Sequence, residues 1–587
     1  MCGIAAYFGS EKPARFLIDT LKKLEYRGYD SAGFAKLEAQ KFIVKKKSGS
    51  IKNLENEIDE KDKISLAVAH TRWATHGEPN EINAHPHISK NNMWAVVHNG
   101  IIENYLQIKK DIGVFPESET DTAVVSELLD IADVKTIESF IEEINSLRGS
   151  FALACICSEC QDTLFLAKEK SPLFVAESSG DFLVASDPIC FSGFAKDYYS
   201  FNDGDFAKIT KSGIEFFDKN KNQISKSKTI LDDIFEEIDK GNFSHFMIKE
   251  IYSEKQALLR QVDVFEKGQI FKNFDEDFID DFDEIKFIGC GTAYHAGLMG
   301  AKFAQKILGI KASAEIASEF IYFEPNFISN KTLYIFVSQS GETADTLRAL
   351  ELVKKSGAVT VALTNVLYSS VAKKVEYILP ICAGVEIAVA STKAYVNMLS
   401  AIYLFCKFFC GKKYFEKALQ NIKSFADKIL NFDKDWLDKI SEEISTKKEA
   451  IFIGKDMDYI TALEASLKLK EVGYINASVY PSGELKHGFL ALVEKGTPLI
   501  VFALQNQLMQ KTLSSASEAT SRGAKVLMVS NNKNCEVGDL IFIDEDDEFL
   551  RQIKAIVPLQ YLAFKVSVTK NINPDQPRNL AKSVTVE

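Results

Sequence analysis

The second half of the chain carries one pattern of apolar runs twice. Each run of the first set has a counterpart further on: EIKFIG (284–289) with EAIFIG (449–454), LYIFVSQ (333–339) with LIVFALQ (499–505), and GAVTVALTN (357–365) with GAKVLMVSN (523–531). The offset is 165 residues for the first pair and 166 for the other two. Three matches in the same order at nearly one offset indicate a duplication, so this half is predicted to fold as two similar domains.

The two halves of the chain favour different sheet types. In the repeated half, apolar runs end at Gly/Ser-rich turns and lead into helical patterns, as in TLYIFVSQSGETADTLRAL. Strands that alternate with helices predict a parallel sheet. The residues before about 240 hold short β-rich stretches with few strong helices between them, which favours sheet packed on sheet. The predicted fold class is α/β multidomain.

A polar, lysine-rich passage at 216–241 separates these two patterns and is the predicted domain junction. We predict three domains in the 587 residues: 2–240, 241–435 with the junction, and 436–587 with the C-terminal tail. A typical domain length of about 150 residues allows three or four.

Composition excludes several classes of protein. The net charge of −12 argues against a nucleic-acid partner, and no apolar run is long enough to predict a membrane span or a signal peptide. Ten cysteines in so long a chain do not form a disulfide framework, which favours a reducing, cytoplasmic compartment. Cys155, Cys157 and Cys160 cluster in ACICSEC, and the alternating stretch FALACICSE favours buried strand cysteines over a zinc site.

The end of the second strand differs between the two copies. The first copy has SQSGETADT at 338–346, where the second has LQNQLMQKT at 504–512. Hydroxyl groups and free backbone N–H groups at a strand-to-helix turn suit a phosphate dianion. Serine and threonine also cap helices, which is the simpler alternative. We predict a phosphate site formed by Ser338, Gln339, Ser340 and Thr343.

The chain begins MCGIAAYFG, with Cys2 directly behind the initiator methionine. A thiol with a pKa of about 8.5 needs a base at neutral pH, and the α-amine of a first residue has a pKa of about 7.7–8.0. Removal of Met1 would let Cys2 use its own amine in this way. The alternative is an inert, buried strand cysteine.

Three later segments favour the catalytic interpretation of Cys2. Arg72 in HTRWATHG suits a bidentate grip on a carboxylate, and Asn99 with Gly100 in HNG suits an oxyanion hole. Asp121 in ESETDTAV could bind an ammonium group. Together they predict a pocket for an α-amino acid whose distal carbonyl is attacked by the thiol. A zinc site made from His70, His76 and His98 is the minor alternative, and we expect no metal or organic cofactor.

These motifs resemble a known family over the whole chain. CGI, YRGYDSAG (26–33), HTRWATHG, HNG and SETDT resemble N-terminal-nucleophile (Ntn) glutamine amidotransferase domains, which are αββα sandwiches. The remaining motifs resemble isomerising glutamine–fructose-6-phosphate aminotransferases, which add two parallel-sheet sugar-isomerase (SIS) domains: KGNFSHFMIKEI, SQSGET, VASTKAY (389–395), SLKLKE (466–471), GELKHG (483–488) and DQPRNLAKSVTVE.

The resemblance implies a reaction and a set of glutamine-site roles. Glutamine is hydrolysed at the terminal cysteine, and ammonia passes through an internal channel to fructose 6-phosphate, giving glucosamine 6-phosphate and glutamate, the first step of hexosamine biosynthesis. By resemblance, Cys2 is the nucleophile, Asn99 and Gly100 form the oxyanion hole, and Trp73 gates the channel. The residues implied to hold glutamine are Arg72, Thr75, His76 and Asp121.

The sugar-site roles are also carried over by resemblance. Lys582 forms a Schiff base with the ketose, Glu471 moves the proton between C1 and C2 with Lys468 nearby, and His487 opens the ring. In this family that histidine reaches the neighbouring subunit, which implies a homodimer. The residues implied around the sugar phosphate are Ser338, Gln339, Ser340, Thr343, Thr292, Val389 and Ser391. Ala293 stands where the family commonly has a serine, so one hydroxyl contact is missing or is supplied by Thr292.

Other interpretations stay open on the residues alone. A Glu471–Lys468 pair three residues apart on a helix is usually a solvated ion pair. An amidotransferase of another class is disfavoured because no G-x-x-x-x-G-K-[ST] motif occurs. A protein that only senses sugar phosphate would not need Cys2, Glu471 or Lys582.

Overall fold

A computed structural model describes residues 2–74, 77–160, 162–231, 239–268, 270–275, 277–323, 327–535 and 537–585. The described residues divide into two compact units. The first unit contains 2–231 together with 581–585, and the second contains 239–580. None of the described helices is both long and apolar enough to cross a membrane.

The first unit consists mainly of antiparallel strands. Its strands are β1 (Gly3–Pro13), β2 (Ser31–Glu38), β3 (Lys41–Ser48), β4 (Lys63–Arg72), β5 (His87–Ile88), β6 (Trp94–Ile102), β7 (Gly149–Cys157), β8 (Leu164–Glu169), β9 (Phe174–Ser178), β10 (Asp181–Ala185), β11 (Asp197–Ser200), β12 (Asp205–Thr210), β13 (Gly213–Phe217), β14 (Gln223–Ile224) and β15 (Lys228–Ile230). Its helices are α1 (Arg15–Lys22), α2 (Ile51–Glu55), α3 (Tyr105–Ile112), α4 (Ala123–Ile131) and α5 (Ile137–Ile144).

These strands form two stacked sheets. One sheet has the order β15-β11-β9-β10-β1-β4-β2-β3, and the other has the order β14-β13-β12-β8-β7-β6-β5. Along β7, Ala152, Ala154 and Ile156 pack in the core between the sheets, while the alternate side chains Leu153, Cys155 and Cys157 pack against helices α3 to α5. Helix α1 packs against β1 in the other sheet. The result is the predicted αββα sandwich.

Two of the three clustered cysteines occupy buried strand positions, whereas Cys160 is part-buried and lies beyond the end of β7. Cys155 and Cys157 are buried on β7, and Cys160 follows in the turn after it. All ten cysteines of the chain are free thiols. The preferred interpretation of Cys155 and Cys157 as buried strand residues is confirmed.

The second unit alternates strands and helices, as the repeat predicted. Its strands are β16 (Glu284–Gly289), β17 (Lys311–Ile316), β18 (Thr332–Ser338), β19 (Thr360–Thr364), β20 (Tyr377–Pro380), β21 (Glu449–Gly454), β22 (Asn476–Pro481), β23 (Pro498–Ala503), β24 (Lys525–Ser530) and β25 (Asp539–Phe542). Its helices are α6 (Phe246–Tyr252), α7 (Glu254–Glu266), α8 (Thr292–Leu308), α9 (Ala317–Phe323), α10 (Ala344–Lys355), α11 (Ser370–Lys374), α12 (Lys393–Phe409), α13 (Lys412–Ala426), α14 (Lys434–Ser445), α15 (Met457–Gly473), α16 (Met509–Thr520) and α17 (Glu548–Thr569).

Each copy of the repeat forms one five-stranded parallel sheet. The orders are β17-β16-β18-β19-β20 and β22-β21-β23-β24-β25, so the two copies have the same topology. The likeness extends to the backbone: Gly291 before α8 has φ 54° and ψ −127°, and Asp456 before α15 has φ 55° and ψ −121°. A ligand crevice is expected where the chain changes direction across such a sheet, at the ends of β16 and β18 in the first copy.

Candidate active sites

The thiol of Cys2 lies beside the end of β4. Strand β1 pairs with β4 in a register that sets Gly3 opposite Thr71, which brings Cys2 next to the residues that follow β4. The N–H of Trp73 donates to Cys2 Sγ at 3.3 Å. Burial raises the pKa of the Cys2 thiol, and this N–H opposes the rise. A thiol in this environment stays protonated at neutral pH and needs a base to act as a nucleophile.

Asn99 and Gly100 are neighbours on β6, and Asn99 contacts Cys2. The Asn99 side-chain Nδ2 donates to the Cys2 carbonyl oxygen at 2.9 Å. Gly100 has φ 135°, and a Cβ there would lie 1.9 Å from the Ser150 carbonyl oxygen, so only glycine fits. The structure therefore brings the predicted nucleophile and the predicted oxyanion-hole amide together.

Arg72, Trp73 and Asp121 surround the same thiol. The charge of Arg72 lowers and the charge of Asp121 raises the pKa of Cys2, next to the larger effect of burial. The Arg72 guanidinium donates to the carbonyl oxygens of Gly77 at 3.3 Å and Glu78 at 3.4 Å, and Asp121 accepts from the Ile102 N–H at 2.7 Å. Trp73 contacts Tyr29 edge-on, with ring centroids 5.5 Å apart. Thr75 and His76 lie outside the described residues.

Two of the three histidines considered as zinc ligands, His70 and His98, are buried and bonded to other groups. His70 Nε2 lies 2.8 Å from the His98 carbonyl oxygen, and His98 Nδ1 lies 2.8 Å from Thr122 Oγ1. Within the described ranges, no group of three or more His, Cys, Asp or Glu side chains is arranged to hold a metal ion. His76, the third member of that alternative, is not among the described residues.

The predicted phosphate loop lies at the end of β18. Ser338 Oγ accepts from the Gly341 N–H at 3.0 Å and lies 3.0 Å from Thr343 Oγ1, while Ser340 Oγ accepts from the Glu342 N–H at 3.2 Å. Gly341 has φ 64°, and a Cβ there would lie 2.0 Å from Ser369 Oγ. Thr343 holds the N-cap position of α10, but its side chain makes no capping hydrogen bond. Capping therefore does not account for this hydroxyl group.

The same turn in the second copy is closed by its own side chains. Asp458 accepts from the Leu504 N–H at 3.0 Å, Gln505 donates to the Lys455 carbonyl oxygen at 2.9 Å, and Arg551 donates to the Leu504 carbonyl oxygen at 2.8 Å. Asp458 thus occupies the Leu504 N–H, a donor that an anion could otherwise use, and adds a negative charge beside the turn. Only the first copy presents a hydroxyl-rich turn at this place.

A buried charged cluster joins helices α8 and α15. Lys468 Nζ lies 2.8 Å from Glu471, 3.1 Å from Glu464 and 3.1 Å from Thr292 Oγ1. Glu464 also accepts from Thr292 at 3.0 Å and pairs with His295 Nδ1 at 2.8 Å. Burial alone would lower the pKa of Lys468, but the charges of Glu464 and Glu471 raise it above its usual value. Lys468 is fully buried, so its ion pair with Glu471 is not the solvated pair of the alternative interpretation.

The other predicted sugar-site residues occupy three separate places. Val389 is buried, its N–H donating to the Asp575 carbonyl oxygen at 3.2 Å, and Ser391 Oγ donates to Glu386 at 3.2 Å. His487 is exposed, directly after the 3₁₀ turn Glu484–Lys486. Lys582 is half-buried in the C-terminal segment of the first unit.

Curated relatives match the chain from end to end. A glutamine–fructose-6-phosphate aminotransferase (isomerizing) from Clostridium acetobutylicum is 40% identical over 610 residues, covering 100% of this chain and 100% of the relative. Proteins of the same name from Clostridium tetani and Staphylococcus aureus (strain Mu50) are 39% and 35% identical, again with 100% coverage of both chains. The chain belongs to the glutamine–fructose-6-phosphate aminotransferase family.

The parts of this family are recognised separately as well. The glutamine amidotransferase domain family matches residues 70–192, and the SIS domain family matches 279–407 and 443–566. Among solved structures, the C-terminal domain of glucosamine-fructose-6-phosphate aminotransferase from Francisella tularensis has a TM-score of 0.54 and 33% identity, and covers 58% of this chain and 100% of that chain. Tagatose-6-phosphate ketose/aldose isomerase from Escherichia coli shares the fold, with a TM-score of 0.50, 17% identity, and coverage of 58% of this chain and 96% of that chain.

Two residues of the buried cluster, Glu464 and His295, were not predicted from the sequence. Glu464 lies four residues before Lys468 on α15, a spacing that places both side chains on one face of a helix. That spacing was the one available signal. His295 gave none, because its partner Glu464 is 169 residues away in the sequence.

Proposed function

We propose that the chain converts L-glutamine and D-fructose 6-phosphate to L-glutamate and D-glucosamine 6-phosphate, the first step of hexosamine biosynthesis. The observation that carries the proposal is the full-length identity to aminotransferases of that name. The two kinds of site support it, because Cys2 lies next to Asn99 in the first unit and the hydroxyl-rich turn lies at a sheet crevice in the second.

The glutamine half-reaction is assigned to the first unit. After removal of Met1, the α-amine of Cys2 takes the thiol proton, and the sulfur attacks the side-chain carbonyl of glutamine. Asn99 and Gly100 stabilise the oxyanion. Arg72 binds the substrate carboxylate and Asp121 its ammonium group, while Thr75 and His76 join them by family resemblance. The C–N bond then breaks as the α-amine returns its proton to the leaving nitrogen, and water hydrolyses the Cys2 thioester to give glutamate and the free thiol. The ammonia passes through an internal channel gated by Trp73.

The sugar phosphate is assigned to the first repeat copy. Ser338, Gln339, Ser340 and Thr343 bind the phosphate dianion through hydroxyl and backbone groups at the start of α10. Thr292, Val389 and Ser391 line the sugar. Thr292 is the first residue of α8 and precedes Ala293, so its hydroxyl is the one nearest in sequence to supply the contact that Ala293 lacks; with no sugar bound, this hydroxyl donates to Glu464 and accepts from Lys468.

The ketose chemistry is assigned to lysine and glutamate side chains. Because Glu464 and Glu471 hold Lys468 as an ammonium ion, Lys468 is a poor amine nucleophile, and this favours Lys582 for the Schiff base. The Schiff base forms at the C2 carbonyl with loss of water, and ammonia then displaces the Lys582 amine at C2. Glu471 moves the proton from C1 to C2, which gives the amino aldose, and Lys468 stabilises the charge beside it. His487 opens the sugar ring of a second subunit, and its exposure is compatible with that role in a homodimer.

The proposed organisation keeps the predicted boundaries of 2–240, 241–435 and 436–587 for the glutaminase domain and the two sugar-isomerase domains. We propose that the protein works in the cytoplasm, where its ten free thiols would stay reduced. No cofactor is part of the proposed reaction.

One incubation tests the proposed function against its rivals. The purified chain is mixed with fructose 6-phosphate, with and without glutamine, and hexosamine phosphate and glutamate are quantified. Equal amounts of both products, formed only with glutamine, support the proposal. Glutamate without hexosamine phosphate would indicate an amidotransferase of another class, and binding without either product would indicate a sensing protein.

A further inference from the structure

A hydrogen bond joins His70 to Asn99, the residue whose side chain contacts the Cys2 carbonyl oxygen. His70 Nε2 lies 2.8 Å from the His98 carbonyl oxygen and 3.1 Å from Asn99 Oδ1. A carbonyl oxygen can only accept, so Nε2 carries the ring hydrogen and donates to both atoms. The tautomer of His70 is therefore fixed by a backbone group that does not change.

This tautomer fixes which end of the Asn99 amide faces Cys2. With Oδ1 held by His70, Nδ2 points to the other side and donates to the Cys2 carbonyl oxygen at 2.9 Å. A flipped amide would set its NH₂ against the His70 N–H and its oxygen against the Cys2 carbonyl. Both contacts would be repulsive, so a single orientation of the Asn99 side chain is favoured.

We propose that His70 is a positioning residue for glutamine hydrolysis, which keeps the Asn99 side-chain N–H groups on the Cys2 side, where an oxyanion would form. The inference rests on the proposed glutaminase function of the first unit. It assigns to His70 a role that neither the family motif nor the zinc alternative gives it.

The surroundings keep the His70 ring neutral and in place. Its other nitrogen, Nδ1, has no hydrogen-bond partner among the described residues, and the ring stacks on His85 at 4.2 Å between centroids. His85 Nδ1 accepts from the His98 N–H at 3.3 Å. Burial, together with the charges of His98 and Arg72, lowers the pKa of His70 to about 3. A second ring hydrogen would be buried without an acceptor, so the donor arrangement persists across the working pH range.

The test removes the donor and then restores it. His70→Leu deletes the hydrogen bond to Asn99, while His70→Gln offers a side-chain N–H at a similar reach. We expect kcat for glutamine hydrolysis to fall about 100-fold in His70→Leu, the effect of losing one oxyanion donor, with KM changed less than about threefold. The kcat of His70→Gln should be at least about tenfold higher than that of His70→Leu. Hexosamine formation from free ammonium should be unchanged in both variants.

Two controls separate positioning from folding. His87→Gln changes a buried histidine of the same group that bonds Thr120 rather than Asn99, and should leave kcat near the wild-type value. In an Asn99→Ala background, His70→Leu should cause no further loss of kcat, because the two residues act through one hydrogen bond. Should His70→Leu fail to fold, His70→Gln alone tests the role: kcat should stay within about tenfold of wild type, and a loss as large as that of Asn99→Ala would overturn it.

The outcomes distinguish this inference from the proposed function. If the wild-type chain does not hydrolyse glutamine, the proposed function itself is wrong. If the wild-type chain hydrolyses glutamine and His70→Leu keeps the same kcat, or differs only by a higher KM, the positioning role alone is overturned. Additive losses in the Asn99→Ala cycle would also overturn it.

Discussion

Lys468 Nζ lies 3.1 Å from a Glu464 carboxylate oxygen, and neither side chain has any exposed surface. Glu464 reaches across to Thr292 and His295 on α8, so the pair ties a helix of the second repeat copy to a helix of the first. The site proposed for the sugar therefore draws on both copies. The first copy provides the phosphate turn, and the second provides Glu471, which we propose to move the proton between C1 and C2, with Lys468 2.8 Å from it.

Loss of the Glu464 charge should destabilise the second unit. Glu464→Gln leaves the buried Lys468 ammonium with one carboxylate partner instead of two, and breaking such a buried pair costs about 3–5 kcal/mol. We expect a clear drop in the free energy of unfolding, measured by urea titration. Lys302→Met is the matched control, because it breaks a part-exposed pair with Asp456 at 2.8 Å and should cost less than about 1 kcal/mol. An equal loss in the free energy of unfolding for the two variants would contradict the proposed contribution of the buried cluster to stability.

Removal of one hydroxyl from the phosphate turn should weaken binding of the sugar phosphate. Ser340→Ala is expected to raise KM for fructose 6-phosphate about tenfold, the effect of losing a hydrogen bond to a charged group, and to leave glutamine hydrolysis unchanged. Steady-state kinetics of the two half-reactions measure both effects. Ser356→Ala, at the opposite end of α10, removes a hydroxyl that bonds Val353 and should leave KM unaltered. An unchanged KM in Ser340→Ala would count against the phosphate assignment.

The sequence predicted the parts of the fold that depend on local pattern. The repeat and the switch from β-rich to alternating segments predicted both sheet types, because a helix between successive strands lets those strands run parallel. Cys2 and Asn99 were predicted to share a pocket, and β1 and β6 place them in contact.

Contacts between distant segments were not predictable from the sequence. Glu464 contacts His295 only because α15 packs against α8, and no local pattern in the sequence predicts that packing. The bond from Arg551 to Leu504, which helps close the crevice of the second copy, likewise joins residues 47 positions apart. Sequence comparison showed only that the hydroxyl groups were missing there.

The buried histidines should make the first unit sensitive to acid. Burial lowers the pKa values of four histidines of the first unit: His70, His85, His87 and His98. These rings therefore stay unprotonated in the folded protein, whereas in the unfolded chain they take up protons below about pH 6.5. The unfolded state then binds more protons, and the free energy of unfolding falls as pH decreases from about 6.5, by up to about 1.4 kcal/mol per pH unit for each histidine. Above about pH 7.5 these groups should contribute no slope.

Tryptophan fluorescence can isolate this effect. The chain has three tryptophans, Trp73 and Trp94 in the first unit and Trp436 in the second, so a Trp436→Phe background reports on the first unit alone. His87→Gln should flatten the slope, whereas His487→Ala, which changes an exposed histidine, should not. A free energy of unfolding that stays level between pH 7.5 and 5 would contradict the account.

Glu471 should be needed for the sugar chemistry and dispensable for glutamine hydrolysis. Glu471→Gln keeps the shape of the side chain and removes its proton acceptor, so hexosamine phosphate formation should fall by about 100-fold or more. Glutamate release measured on the same sample should persist. Glu442→Gln, an exposed change on α14, is the control. Normal hexosamine formation by Glu471→Gln would remove this residue from the mechanism.

The most direct test of the account follows the nitrogen atom. Wild-type protein is incubated with fructose 6-phosphate, glutamine labelled with ¹⁵N in its side-chain amide, and an excess of unlabelled ammonium, and the glucosamine 6-phosphate is analysed by mass spectrometry. If Cys2 releases the nitrogen inside the protein, the product carries ¹⁵N, and Cys2→Ala yields only unlabelled product. A wild-type product with the isotopic composition of the surrounding ammonium would contradict transfer between the two sites.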